Sequence, residues 1–224
     1  MRQRSGILHA GPVLTAVLTA GVLAFVGFRL VSTASLVARS AALRRRAREI
    51  VRGIRWRHVW PVPFVLTAVI LASIALLQIS PLRFGWWTAI GGLGNPVTGT
   101  TDQTAGTPLE WLIPLVFLCL LAPALPLFAF REEELFRLGA EGWSTRQRIA
   151  KAVQFGLVHA VIGIPIGVAL ALGIGGGYFQ AAYLRGFRVG GSRQAGLMES
   201  ARAHTAYNGL VVVVVLAVIL AAVV

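Results

Sequence analysis

Five residues of this chain have the types and spacing to do chemistry together: Glu132, Glu133, His159, His204 and Asn208. A carboxylate can take a proton from water, and an imidazole can hold and polarise that water. An imidazole or amide N–H can stabilise a developing oxyanion. Arg137 lies four residues after Glu133, and Asn208 four after His204, so each pair shares a helix face. Taken singly, each residue has a plainer reading. A histidine or asparagine in a membrane helix commonly bonds a neighbouring helix, and Glu133 with Arg137 makes an ordinary helix ion pair. Taken jointly, a carboxylate, two histidines and an amide at one depth fit a hydrolytic site. Glu132, Glu133 and Glu134 are three of only eight acidic residues, and they follow directly on an apolar run ending at Phe130. Ionisable groups at membrane depth are costly and mark functional sites.

The elements that must position these residues are membrane helices. The 224 residues are 56% hydrophobic and 13% charged, with a mean hydropathy of +0.75. Such a composition excludes a disordered chain and points away from a soluble domain. The expected architecture is all-α, a polytopic transmembrane bundle of about six spans forming one membrane domain over 1–224. Residues 1–107 supply N-terminal spans and a basic segment; residues 108–224 carry the motif-bearing core. The spans are expected near Ile7–Val31, Trp60–Ile79, Pro108–Phe130, Ala150–Leu172, Tyr178–Val189 and Ala201–Val224, with Gly173–Gly177 as a turn. The first is too long for the apolar part of a signal peptide and reads as a retained span. Trp86 and Trp87 read as interface anchors, and His9 and His58 as interfacial residues near span ends.

The net charge is +13, and most of the 21 basic residues fall in 39–57, 131–151 and 185–202. Six spans place those segments on one side, the cytoplasmic one by the positive-inside rule, with both termini outside. The segment 39–57 interleaves Arg with Leu43, Ile50, Val51 and Ile54, as in a basic helix on an anionic leaflet. No stacking platform or recognition motif accompanies it, so no nucleic-acid partner is expected. The lone cysteine, Cys119, cannot form an internal disulfide.

Three short motifs fall in order along the core. Glu132-Glu133-Glu134-Leu135-Phe136-Arg137 fits E-E-x-x-x-R, Phe155 to His159 fits F-x-x-x-H, and His204 to Asn208 fits H-x-x-x-N. The frame starting at Glu133 fails because residue 138 is Leu138. The ordered triple, over about 131–208, resembles the CPBP family of intramembrane glutamic endopeptidases, also called the Abi or CAAX-protease family, whose eukaryotic members are the type II CAAX prenyl endopeptidases. The resemblance implies that Glu132 is the general base and binds the attacking water with His159. It implies that His204 and Asn208 form the oxyanion hole, that Glu133 supports the site, and that Arg137 holds the acidic pair. The implied activity is hydrolysis of prenylated, leader-type or other membrane-associated peptides in a prokaryotic cell membrane, at a site facing the cytoplasm. The implied catalysis uses no cofactor. A zinc ion on Glu132, His159 and His204 is the second choice, since those are valid ligand types.

Rival readings remain. A scaffold or bacteriocin-immunity protein of the same fold would use the motifs structurally. A transporter would use Glu132 and His159 as a proton relay, but the two halves show no matching broken segments. No H-E-x-x-H or G-x-S-x-G occurs, so zinc and serine intramembrane proteases are unsupported.

Overall fold

The computed structural model describes residues 12–89 and 106–223; these are almost all in helices joined by short turns, with no strand among them. The helices are α1 (Pro12–Arg39), α2 (Ala41–Arg52), α3 (Trp56–Val59), α4 (Val62–Leu76), α5 (Trp86–Ala89), α6 (Leu109–Arg137), α7 (Thr145–Leu157), α8 (Ile166–Gly190) and α9 (Arg193–Val223). His9 lies outside the described residues.

Four stretches among the described residues are long and apolar enough to cross a bilayer: Trp56–Leu76, Leu109–Gly142, Ile166–Gly190 and Arg193–Ala221. Six spans are not confirmed, and the expected placement of the fourth and fifth needs correction, for a physical reason that lies in α7 and α8. Residues 173–177 do not turn. They are interior to the 25-residue α8. The reversal comes earlier, after a 3₁₀ turn over Val158–Ile162, where Gly163 adopts a left-handed φ of 92° and Pro165 caps α8. Only glycine takes that φ without a Cβ penalty. The helix α7 has 13 residues and a polar start, capped by Ser144 and Gln147, and does not reach the length of a span.

The glycines of α8 serve close approach instead. Helices α7 and α8 run antiparallel, with Gly156 against Ala169 and Gly173, and Gly176 against Ala152 and Phe155. A Cβ on Gly156 would fall 2.1 Å from the Ala169 carbonyl oxygen. Small residues let membrane helices meet backbone to backbone, where dispersion and packing replace the hydrophobic effect.

The helix α6 is continuous through Pro114, Pro123 and Pro126 and continues past Phe130 to Arg137, so E-E-x-x-x-R is helical. Beyond it, Tyr183 donates to Glu141 (2.8 Å) and accepts from the Gly139 N–H (3.2 Å), while Arg193 pairs with Glu141 (2.6 Å). These bonds lock the end of α6 to α8 and α9. Segment 39–57 is helical as expected in α2, where Ile50 is fully buried and Arg46 lies 4.5 Å from the Phe130 ring centroid. The basic segments thus gather at one end of the bundle. Trp87 is buried rather than interfacial, and Trp86 donates to the Val161 carbonyl at 3.0 Å, pinning the 3₁₀ turn. His58 is also buried, which corrects its expected interfacial place.

The close packing makes a paired prediction. Gly156→Ala drives a methyl into backbone and should cost about 1–3 kcal/mol of stability. Gly177→Ala, with nothing within 4 Å, should be neutral or stabilising by up to about 1 kcal/mol, as for any exposed helix interior. Thermal unfolding of the two variants in one detergent checks both.

Candidate active site

The site is built on a buried carboxylate. Glu133 is 0% exposed and Arg137, one turn later, 1%. Arg137 Nε lies 3.3 Å from Glu133 Oε2, and its Nη2 donates to the Gly176 carbonyl at 3.1 Å. The guanidinium sits among aromatic rings, 4.3 Å from the Phe155 centroid, 5.6 Å from Phe136 and 5.7 Å from Phe179. Such faces attract a cation strongly once water is excluded. Arg137 thus holds Glu133, one of the acidic pair, and also ties α6 to α8.

Helix α9 supplies the remaining partners of Glu133. His204 Nδ1 lies 2.8 Å from Glu133 Oε1. A carboxylate accepts, so the imidazole donates from Nδ1 and its Nε2 faces the other way, 3.8 Å from Glu132 Oε2. The His204 ring stacks on Phe179, with centroids 4.0 Å apart, which fixes its plane. Ser200 places its hydroxyl against Glu133 Oε2 and, at 2.7 Å, against the Phe179 carbonyl. It carries one hydrogen for two acceptors and serves one at a time. Sequence reasoning overlooked Ser200. Its spacing was the available signal, since Ser200, His204 and Asn208 recur every fourth residue along one face of α9.

Glu132 points elsewhere. Its side chain is 34% exposed, and its Oε2 is buried with no hydrogen-bond partner. With His159 and Asn208 it lines a cavity of about 540 Å3 between α1, α6, the 3₁₀ turn and α9. The rest of the lining is mostly apolar, including Phe117, Leu121, Phe128 and Val212, with Arg29 of α1 as the one arginine or lysine on the wall among the described residues. His159 does not sit inside a membrane helix, as expected, but on the 3₁₀ turn just past α7. Its Nδ1 lies 2.8 Å from the Phe155 carbonyl. A carbonyl only accepts, so Nδ1 carries the hydrogen and Nε2 presents a lone pair. Phe155, the first residue of F-x-x-x-H, therefore orients His159 through its carbonyl. Its ring also packs edge-on against both His159 and His204.

Three of the expected catalytic residues, Glu132, His159 and Asn208, thus meet at one cavity. His204, Glu133 and Arg137 stand behind Glu132 as a buried row. His204 is 3% exposed and does not line the cavity. Glu134, in the variable position, pairs with the exposed Arg131 at 3.0 Å. Among the described residues no three His, Cys, Asp or Glu side chains gather closely enough to hold a metal ion.

Comparison with protein-family models, curated proteins and solved structures returns no match for this chain. The functional reading therefore rests on the arrangement of its own side chains.

The two glutamates should part company in stability measurements. Glu133→Ala leaves Arg137 buried without its partner and should cost about 3–5 kcal/mol. Glu132→Ala removes a half-exposed group and should change stability by less than about 0.5 kcal/mol. Equilibrium unfolding in mixed micelles of both variants measures the difference.

Proposed function

We propose that this chain is an intramembrane endopeptidase of the CPBP type, a glutamic peptidase that hydrolyses peptide bonds of membrane-associated peptides. The observation that carries this reading is the meeting of Glu132, His159 and Asn208, from three separate elements, at one largely apolar cavity. An apolar wall admits a membrane-buried peptide, and only a few polar groups are then needed to fix the reacting atoms.

The chemistry follows from the acceptors and donors present. A water in the cavity donates one hydrogen to Glu132 and the other to His159 Nε2. Its oxygen attacks the peptide carbonyl carbon as Glu132 removes a proton. The carbonyl oxygen becomes an oxyanion, towards which the Asn208 amide can donate. Collapse breaks the C–N bond, and Glu132 returns its proton to the departing amine. His204 supports Glu132 from behind. Its Nε2 lies close enough to stabilise the protonation changes of that carboxyl, while Glu133 fixes the ring from the other nitrogen. No step requires a metal or cofactor.

The gathering of the basic segments at one end supports an orientation with that end in the cytoplasm. If α1 crosses, and if α7 crosses together with the 3₁₀ turn that prolongs it to Ile162, the chain passes the membrane six times. Prenylated peptides, leader peptides and short membrane-anchored proteins are all compatible substrates. A non-catalytic scaffold or immunity protein is the alternative.

Purified protein in lipid nanodiscs, offered fluorogenic apolar peptides, tests the reading. Glu132→Ala and His159→Ala should each lower kcat/KM by about 100- to 10,000-fold. Asn208→Ala should lower it by about 100- to 1,000-fold. Melting temperatures should stay near wild type, and a chelator should leave cleavage unchanged. Undiminished cleavage by both the Glu132 and His159 variants would sink the assignment. No cleavage of any peptide, with the cellular role intact in both variants, would leave the scaffold reading.

A further inference from the structure

A second cluster of charged side chains lies across α9 from the candidate active site. Glu199, beside Ser200 in sequence, faces the opposite way and is 4% exposed. Four cationic or titratable groups converge on it. Arg57 Nη2 lies at 3.0 Å, Arg185 Nη2 at 2.9 Å, His58 Nε2 at 3.0 Å and Arg202 Nη1 at 3.8 Å. One carboxylate can neutralise one arginine. Three guanidinium groups around it leave the cluster with an excess of positive charge among the described residues, and Arg202 Nε is buried with no hydrogen-bond partner.

The excess borders open space. Arg57, Arg185, Arg202 and Glu199 line a cavity of about 460 Å3, closed on one side by Ser192 and Gln194 at the start of α9. Ser192 accepts from the Ala195 N–H at 3.2 Å. The N-terminal end of this 31-residue helix adds its own positive potential to that of the arginines. A smaller adjoining cavity of about 170 Å3 shares Arg57, Arg185 and Glu199 and reaches Trp60 and Tyr178. Trp60 and Trp56 are 52% and 75% exposed, and exposed tryptophans belong at the headgroup level of a bilayer.

The geometry points to a phosphate-binding site here, and we propose that it holds the phosphate of an anionic phospholipid beside the peptidase cavity. Guanidinium forks match phosphate oxygens bidentately, and Arg desolvates more readily than Lys. Glu199 keeps the arginines splayed around the cavity, so the site is preorganised. A soluble phosphoryl compound shares this chemistry. The site does not depend on the peptidase reading, since no residue of the proposed catalytic set lines it.

Native mass spectrometry of the full chain, released from detergent with added phosphatidylglycerol or phosphatidylcholine, tests the lipid source. Thermal unfolding with inorganic phosphate tests the soluble one. The expected result is retention of phosphatidylglycerol over phosphatidylcholine. Arg185→Gln and Arg57→Gln should each weaken that retention about tenfold, the usual loss for one charge-assisted contact. Gln194→Glu, which puts a carboxylate on the cavity wall and keeps all three arginines, should weaken it comparably and guards against a folding artefact. Failure of the lipid, with stabilisation by inorganic phosphate that Arg185→Gln and Gln194→Glu remove, would assign the same site to a soluble phosphoryl ligand. Binding of neither, or lipid binding unaffected by all three variants, would overturn the proposal.

Discussion

A fully buried carboxylate and a fully buried guanidinium, one helical turn apart at the end of α6, set the terms for everything around them. Neither ion could be left alone there, because an unpaired charge removed from water costs several kcal/mol. Glu133 is therefore surrounded by donors from Arg137, His204 and Ser200, and Arg137 by a carbonyl and three aromatic rings. Pairing those two groups, with only Arg137 Nη1 left without a hydrogen-bond partner, draws α6, α8 and α9 to a common point, and Phe155 and Phe179 fill the space between them.

That constraint also separates two adjacent glutamates into different roles. Neighbours on a helix point about 100° apart, so when Glu133 turns into the core Glu132 turns to the side. There it meets the cavity. The buried row behind it holds the His204 ring by Nδ1, by stacking on Phe179 and by an edge contact with Phe155. In the proposed reaction, a base backed by such a locked neighbour would lose little on binding its reactants, which is what a preorganised site requires. The same helix, α9, carries Glu199 and Arg202 on its other face, where Arg57 and Arg185 meet them. One element therefore divides a dry polar core from a charged cluster at the bundle's basic end.

Much of this was legible in the sequence. Helical spacing alone paired Glu133 with Arg137 and put His204 and Asn208 on one face, while the motif resemblance set the frame by rejecting Leu138. Hydropathy gave the all-helical membrane class. The failures have physical causes. Residues 173–177 carry the residue type of a turn, yet the missing side chains of Gly173 and Gly176 admit a neighbouring backbone, and only Ala152 and Phe155 on the partner helix reveal which use applies. His58 looked interfacial because its partner, Glu199, is remote in sequence. His204 looked like a cavity residue because its motif position says nothing about which ring nitrogen is already engaged.

The claim that matters most is that Glu132 and His159 act on one and the same water. Two groups that activate a single nucleophile are not independent, so removing the second after the first costs little more. A double-mutant cycle on kcat/KM for peptide cleavage measures this directly, with Glu132→Ala, His159→Ala and the double variant in the same nanodiscs. The account predicts that the double variant falls no further than about the worse single one. Losses that multiply would mean that the two side chains work separately, and would contradict a shared water at this cavity.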